Sequence, residues 1–334
     1  MRKRIIILLV LFGIKTAGSS QEIILSQPFS ASQYQNPSSA GGGAYDHRFQ
    51  SNYKNQLVDG NADLFRTFLF SFDTRLKNDL EESYNYFGLG VQYIDDEVMQ
   101  GVMKNNYLTL NGAYHIFLDR DLYSHLSLGI GVTYAFTNID RSKLRFNDQY
   151  DYRGILSYAT LENLKSYPNN VTTNAGVMYT KHDESKFVQA GFMTYLYDKP
   201  NVTYSPFNKA GSLRYRAFMN SELPMYNNNS FLLYFNYLNR PSESQFIFGG
   251  LFGLSVRNDE DDYNKLYAGC LYRLNEAIIP TVAYIRNRYT YGFSYDVYAS
   301  NLTASNMKMS SFEFTLSRKF GEKRKENRYH TLFD

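Results

Sequence analysis

Residues that usually carry chemistry are sparse in this chain. Five histidines, His47, His115, His125, His182 and His330, are scattered with no two at metal-ligand spacing, and neither an HExxH pattern nor a phosphate-binding loop occurs. The run Asn258 to Asp262, NDEDD, supplies carboxylates but lacks the spaced ligands and distal glutamate of a calcium loop, so it reads as a solvated turn. A lipid hydrolase on a barrel wall needs a serine and a histidine converging in space. His115 and His125 instead flank a tight turn, which gives them ordinary strand-end roles. Cys270, the one cysteine, excludes an internal disulfide and a cysteine-rich zinc site and reads as a small apolar strand residue. The glycine runs GLG, GIG and FGGLFG precede no helix, so they are not nucleotide loops; they read as relief of crowding where strands curve. No catalytic, cofactor-binding or metal-binding residue is assigned.

With no cluster to position, the elements themselves carry the information. Aromatic residues make up 17% of the chain, yet mean hydropathy is −0.43. That is too polar for a helical membrane protein and too aromatic for an average soluble one. A formal net charge of +3 without a basic, aromatic-interleaved stripe argues against nucleic acid as a partner. Residues 1–20 have the three parts of a secretory signal: Arg2, Lys3 and Arg4, an apolar run from Ile5 to Ile14, then Ala17, Gly18, Ser19 and Ser20. That run is too short to span a bilayer as a helix.

Beyond Tyr45 the recurring feature is alternation. In LSLGIGVTYAF, Leu126, Leu128, Ile130, Val132, Tyr134 and Phe136 share one face, with Ser127, Gly129, Gly131, Thr133 and Ala135 on the other. Near the C-terminus, Phe312, Phe314, Leu316 and Phe320 oppose Ser311, Glu313, Thr315, Ser317 and Lys319, and a one-residue slip would turn the charges onto the apolar side. Such segments fall at 47–57, 65–76, 84–95, 104–117, 122–138, 171–181, 186–198, 212–222, 229–239, 244–256, 263–273, 278–287, 290–299 and 309–320. Their length, near ten residues, exceeds that of strands in a soluble β-sandwich and fits tilted transmembrane strands.

The fold class expected is therefore all-β: a transmembrane antiparallel outer-membrane β-barrel of about fourteen strands, occupying residues 46–320. The first span is the least apolar, with Arg48, Gln50, Asn52, Lys54 and Gln56 on one face. An even strand count places both termini in the periplasm and the long connectors, 139–170 and 199–211, outside. Arg214, Arg216, Glu313 and Lys319 face the lumen, either lining a pore or pairing across a packed interior. Residues 321–334 form a basic periplasmic tail (Lys323, Arg324, Lys325), and Phe320 is the terminal aromatic of the barrel. The tail is either disordered or a contact for an acidic periplasmic partner.

Residues 21–45 include SASQYQNPSSAGGGAY, too broken for a helix or central strand, and lie in the periplasm or fold into the lumen as a plug. This segment resembles the start of the PorP/SprF outer-membrane proteins of the type IX secretion system in Bacteroidetes. Members carry an Asn-Pro-x-x-Ala-Gly element and then a Tyr-Arg-Asn-Gln-Trp element. Here Gln33, Tyr34, Asn36, Pro37, Ala40 and Gly41 match the first with its glutamine-rich, aromatic approach, and Tyr53, Asn55 and Gln56 the second, with Lys54 and Leu57 as departures.

The resemblance implies a non-enzymatic barrel, without cofactor, in outer-membrane lipid. Its implied partners are periplasmic ring components of the secretion or gliding machinery, or a secreted surface protein or adhesin. The alternative is a channel for small or hydrophobic molecules, with lumen-facing charges along a pore. Made without residues 1–20, the chain is expected to need detergent to stay monodisperse. A water-soluble monomer on size-exclusion chromatography contradicts the barrel assignment.

Overall fold

In the computed structural model the described residues are 23–333, apart from 59–61, 77–83, 120, 152, 155, 157–158, 162–168, 183–185, 197–213, 241–243, 259–262, 299–308 and 324–330. The expected leader at 1–20, most of the NDEDD run and, from the basic cluster of the tail, Arg324 and Lys325 lie outside them.

The strands are β1 (Tyr45–Val58), β2 (Ala62–Leu76), β3 (Tyr86–Val98), β4 (Met103–Phe117), β5 (Ser124–Ile139), β6 (Asn170–His182), β7 (Phe187–Leu196), β8 (Arg214–Pro224), β9 (Ser230–Asn239), β10 (Ser244–Asn258), β11 (Tyr263–Arg273), β12 (Ala277–Arg286), β13 (Tyr289–Tyr298) and β14 (Met309–Lys323). Each pairs antiparallel with its neighbour in sequence, and β1 pairs with β14, so the sheet closes without an edge. Closure is what allows a sheet to sit in hydrocarbon, where an unpaired edge would find no water. Predicted and observed strand ends agree within three residues throughout. The polar first span is the strand that closes the ring, with Lys54 opposite Glu313 and Arg48 opposite Lys319.

Alternation sorts the two surfaces. Leu128, Ile130 and Val132 of β5, Phe293 and Tyr295 of β13, and Phe314 and Leu316 of β14 are exposed on the outer wall, while Ser127, Ser294 and Glu313 are buried inside. At the mouth where β1 begins and β14 ends, the connections are short. At the far mouth they include 140–169 and 197–213. Tight turns carry asparagine where the chain needs a positive φ, at Asn227, Asn228, Asn275 and Asn287.

The inner wall is not uniform. On β1–β6, β13 and β14 it is lined by amides, hydroxyls and charges. On β9–β12 it is mostly apolar, with Leu232, Leu251, Leu271, Ile279 and Ile285 fully buried, and Lys265 and Arg273 of β11 are its buried charges. Apolar residues stand on both faces of these strands, as in AIIPTVAYIR of β12.

Ile130 lies near the middle of β5 and is 68% exposed. Ile130→Arg is expected to cost about 2–4 kcal/mol in urea-unfolding measurements in lipid vesicles. A loss below about 0.5 kcal/mol would show that this wall does not face hydrocarbon.

Candidate functional site

The barrel interior is filled by the chain's own N-terminal segment. Residues 23–44 touch β1, β2, β3, β4, β5, β6, β8, β9, β13 and β14 through hydrogen bonds or direct packing, and only a segment inside the ring can reach all of these walls. Its sequence suits the place: serine, glutamine and asparagine side chains reach amide and carboxylate partners on the polar half of the wall. Three short helical turns, Pro28–Ser30, Ser32–Gln35 and Pro37–Ser39, keep it compact.

Nearest the far mouth is a charge cage. Lys54 Nζ donates to Ile24 O and Ser26 Oγ, both at 2.8 Å, and lies 3.2 Å from Asp296 Oδ2. Arg273 approaches the same carboxylate oxygen at 3.0 Å, so Asp296 sits between two cations. Glu313 accepts from the Ser26 backbone N–H at 2.5 Å and from Asn52 Nδ2 at 2.9 Å. Asp296, Glu313 and Arg273 are fully buried. In such a site the loss of one partner costs about 3–5 kcal/mol because the other is left without compensation.

Midway, the Ser32 hydroxyl donates to Gln50 Oε1 at 2.8 Å, and Gln33 is held between Phe72 O and Asn111 Nδ2. Arg216 donates to Tyr34 O at 2.6 Å and lies over the Tyr34 ring. Nearest the terminal mouth, Asp73 accepts from the Gly41 N–H at 2.7 Å and takes both Nε and Nη2 of Arg48, while Arg48 also donates to Ser39 O.

The first family element is gathered here. Asn36 Oδ1 accepts from Ser38 N, and its Nδ2 donates to Val177 O and Phe192 O, tying the plug to β6 and β7. Pro37 and Ser38 lie over Gly129, where a Cβ would stand 2.3 Å from Ser38 N; at Gly176 it would stand 2.1 Å from Asn36 Oδ1. Both glycines are slots for the plug, and Gly129, in the GIG run, was read from sequence as relief of strand curvature. Ala40 O accepts from His115 Nε2 at 2.8 Å.

Only part of the second element reaches the site: Lys54, which stands at the family's arginine position, enters the charge cage and Gln56 shares its inward face, while Tyr53, beside Phe312, and Asn55 lie on the opposite face of β1. Of the expected lumenal charges, Arg216, Glu313 and Lys319 are buried, and Arg214 is half-buried with its guanidinium over Tyr195.

His115 does more than end a strand. With Nε2 donating to Ala40 O, Nδ1 accepts from Ser127 Oγ at 2.7 Å, and Tyr86 stacks on the ring. This serine–histidine contact is completely buried under the plug, and the second ring nitrogen meets a carbonyl instead of a carboxylate. It clamps the segment. Asp73, Asp296 and Arg273 are further contacts the sequence did not single out; their place on the inward-facing set of their strands was the available signal.

The end of the tail also lies inside, contrary to its expected place in the periplasm. Thr331, Leu332 and Phe333 are buried, and Leu332 and Phe333 join the apolar half of the lumen. That half is where an aliphatic–aromatic pair can leave water. Between tail, plug and β4–β7 remains a cavity of about 30 Å³, lined by Arg48, His125, Thr180 and His182 among others and roomy enough for a water.

The family model described as type IX secretion system membrane protein PorP/SprF matches residues 17–317, plug included. The crystal structure of a FadL homologue from Pseudomonas aeruginosa has a TM-score of 0.51 at 8% identity, over 86% of this chain and 93% of that chain. The toluene transporter TodX of Pseudomonas putida gives 0.48 at 9% identity, over 91% and 96%. At such identities the likeness is one of fold. No curated protein sequence matches the chain.

Gly129→Val is expected to evict the Pro37–Ser39 turn and raise the rate of protease cleavage within residues 23–44 by about tenfold or more, with the barrel still folded. Gly112→Val, where a Cβ meets only Leu89 Cδ2 at 4.0 Å, serves as the control. Equal cleavage of the two variants contradicts the docking described.

Proposed function

The chain belongs to the PorP/SprF family of type IX secretion system membrane proteins and has the fold of an outer-membrane β-barrel, and from that premise we propose that it is a sealed, protein-binding barrel of the secretion or gliding machinery. It holds periplasmic machinery at the outer membrane, or supports the secretion and surface attachment of a partner protein. It is exported by residues 1–20 and has no catalytic role.

The observation that carries this reading is the filled lumen. A barrel whose axis is taken up by residues 23–44 and 331–333, with buried hydrogen bonds joining the plug backbone to Lys54 and Glu313 of the wall, offers its mouths and loops as working surfaces. The polar far mouth, with connections as long as 140–169, is a surface for a secreted partner. The short-turned mouth, where both termini of the barrel lie, faces the periplasmic components.

A second reading, a channel for hydrophobic molecules, draws on the apolar inner wall of β9–β12. That wall is covered by Phe29, Leu332 and Phe333 of the same chain, which places this reading second.

Deletion of the gene is expected to remove one or a few specific proteins from the secreted and surface fractions measured by quantitative proteomics, with complementation restoring them. An unchanged secretome and surface proteome contradicts the proposal.

A further inference from the structure

The plug and the tail are held by different physics. Plug residues are fixed by many hydrogen bonds to the wall, several of them to charged side chains, with Leu25, Ala31 and Tyr34 also packed on Leu69 and Ile94, whereas Leu332 and Phe333 are held by apolar packing. The Phe333 ring stacks on Phe187, with centroids 5.5 Å apart and planes at 16°, and meets Phe29 edge-on at 6.0 Å. Phe29 in turn meets Tyr234 of β9 edge-on at 5.4 Å. Leu332 shares a small cavity wall with Gln27, Phe29 and Gln50. Phe29 is thus the joint at which the two ends of the chain touch inside the barrel.

We propose that the lumen holds a peptide-binding slot, walled by Phe29 and Phe187, in which the chain's own Leu332–Phe333 acts as an exchangeable latch on the plug. The slot lies towards the mouth where β7 begins and β14 ends, within reach of a segment entering from that side. Side-chain packing of this kind is selective for an aliphatic–aromatic pair and reversible. A partner segment of that chemistry would take the place of the tail and grip Phe29 directly. The inference goes beyond the secretion role, and because its test uses purified protein, its failure would leave that role standing.

The chain has no tryptophan, so Phe333→Trp in the full-length protein creates a single reporter. Its emission is expected to be blue-shifted and shielded from acrylamide. A synthetic peptide of residues 326–334 should shift it red and saturate, while the same peptide with Phe333→Ala should need about tenfold or more concentration, from the loss of a buried ring. As a second measurement, full-length Phe333→Ala should bind the fluorescein-labelled natural peptide about tenfold or more tightly than the wild-type chain, whose slot is filled. A water-exposed emission at the outset, no shift at any peptide concentration, or equal potency of the two peptides would each overturn the proposal. Equal binding by the two full-length chains would do the same.

Discussion

A polar group on the inside of a closed membrane barrel must be met by water or by protein, and everything distinctive in this structure follows from protein being the answer. The inner faces of β1–β6, β13 and β14 carry amides, hydroxyls and charges, and residues 23–44 meet many of them. Asp296 between Lys54 and Arg273 shows the constraint at its tightest. Removing a plug that supplies Ser26 and the Ile24 carbonyl to this cage would leave buried charges short of partners, at a cost of a few kcal/mol for each. The plug is part of the fold.

The other half of the lumen obeys the complementary rule. On β9–β12 the inner wall is mostly apolar and offers polar plug side chains few partners, Tyr234 to Gln35 among them. Phe29 is the plug residue that turns to it, and Leu332 and Phe333 complete the cover. The interior is thus filled twice over, by hydrogen bonding on one side and by hydrophobic packing on the other, with Phe29 common to both. A segment fixed by directional bonds stays, and one held by side-chain packing can exchange.

Much of the barrel was legible in the sequence because lipid enforces a period of two. The faces of Leu128, Ile130 and Val132 against Ser127, Gly129 and Gly131 could be assigned by alternation alone, and the last strand fixed its register through Glu313 and Lys319. What happens inside was less legible. Gly129 and Gly176 look like any strand glycine until the turn that fills the missing side chain is known. His115 lies near a turn in sequence, but its partner Ala40 is 75 residues away and joins it only after the barrel closes. The tail misled for a related reason: its basic residues dominate its composition, while its position is decided by Leu332 and Phe333. Of the family elements, Asn36, Pro37, Ala40 and Gly41 converge on the wall of β2–β7, whereas Tyr53 and Asn55 face outward on β1.

That the lumen is closed by the chain itself can be read from ion flow. In planar bilayers the full-length protein should show no large steady conductance, and a variant lacking residues 23–44 should open a stable conductance. A large, steady conductance from the intact protein would contradict the account at its root.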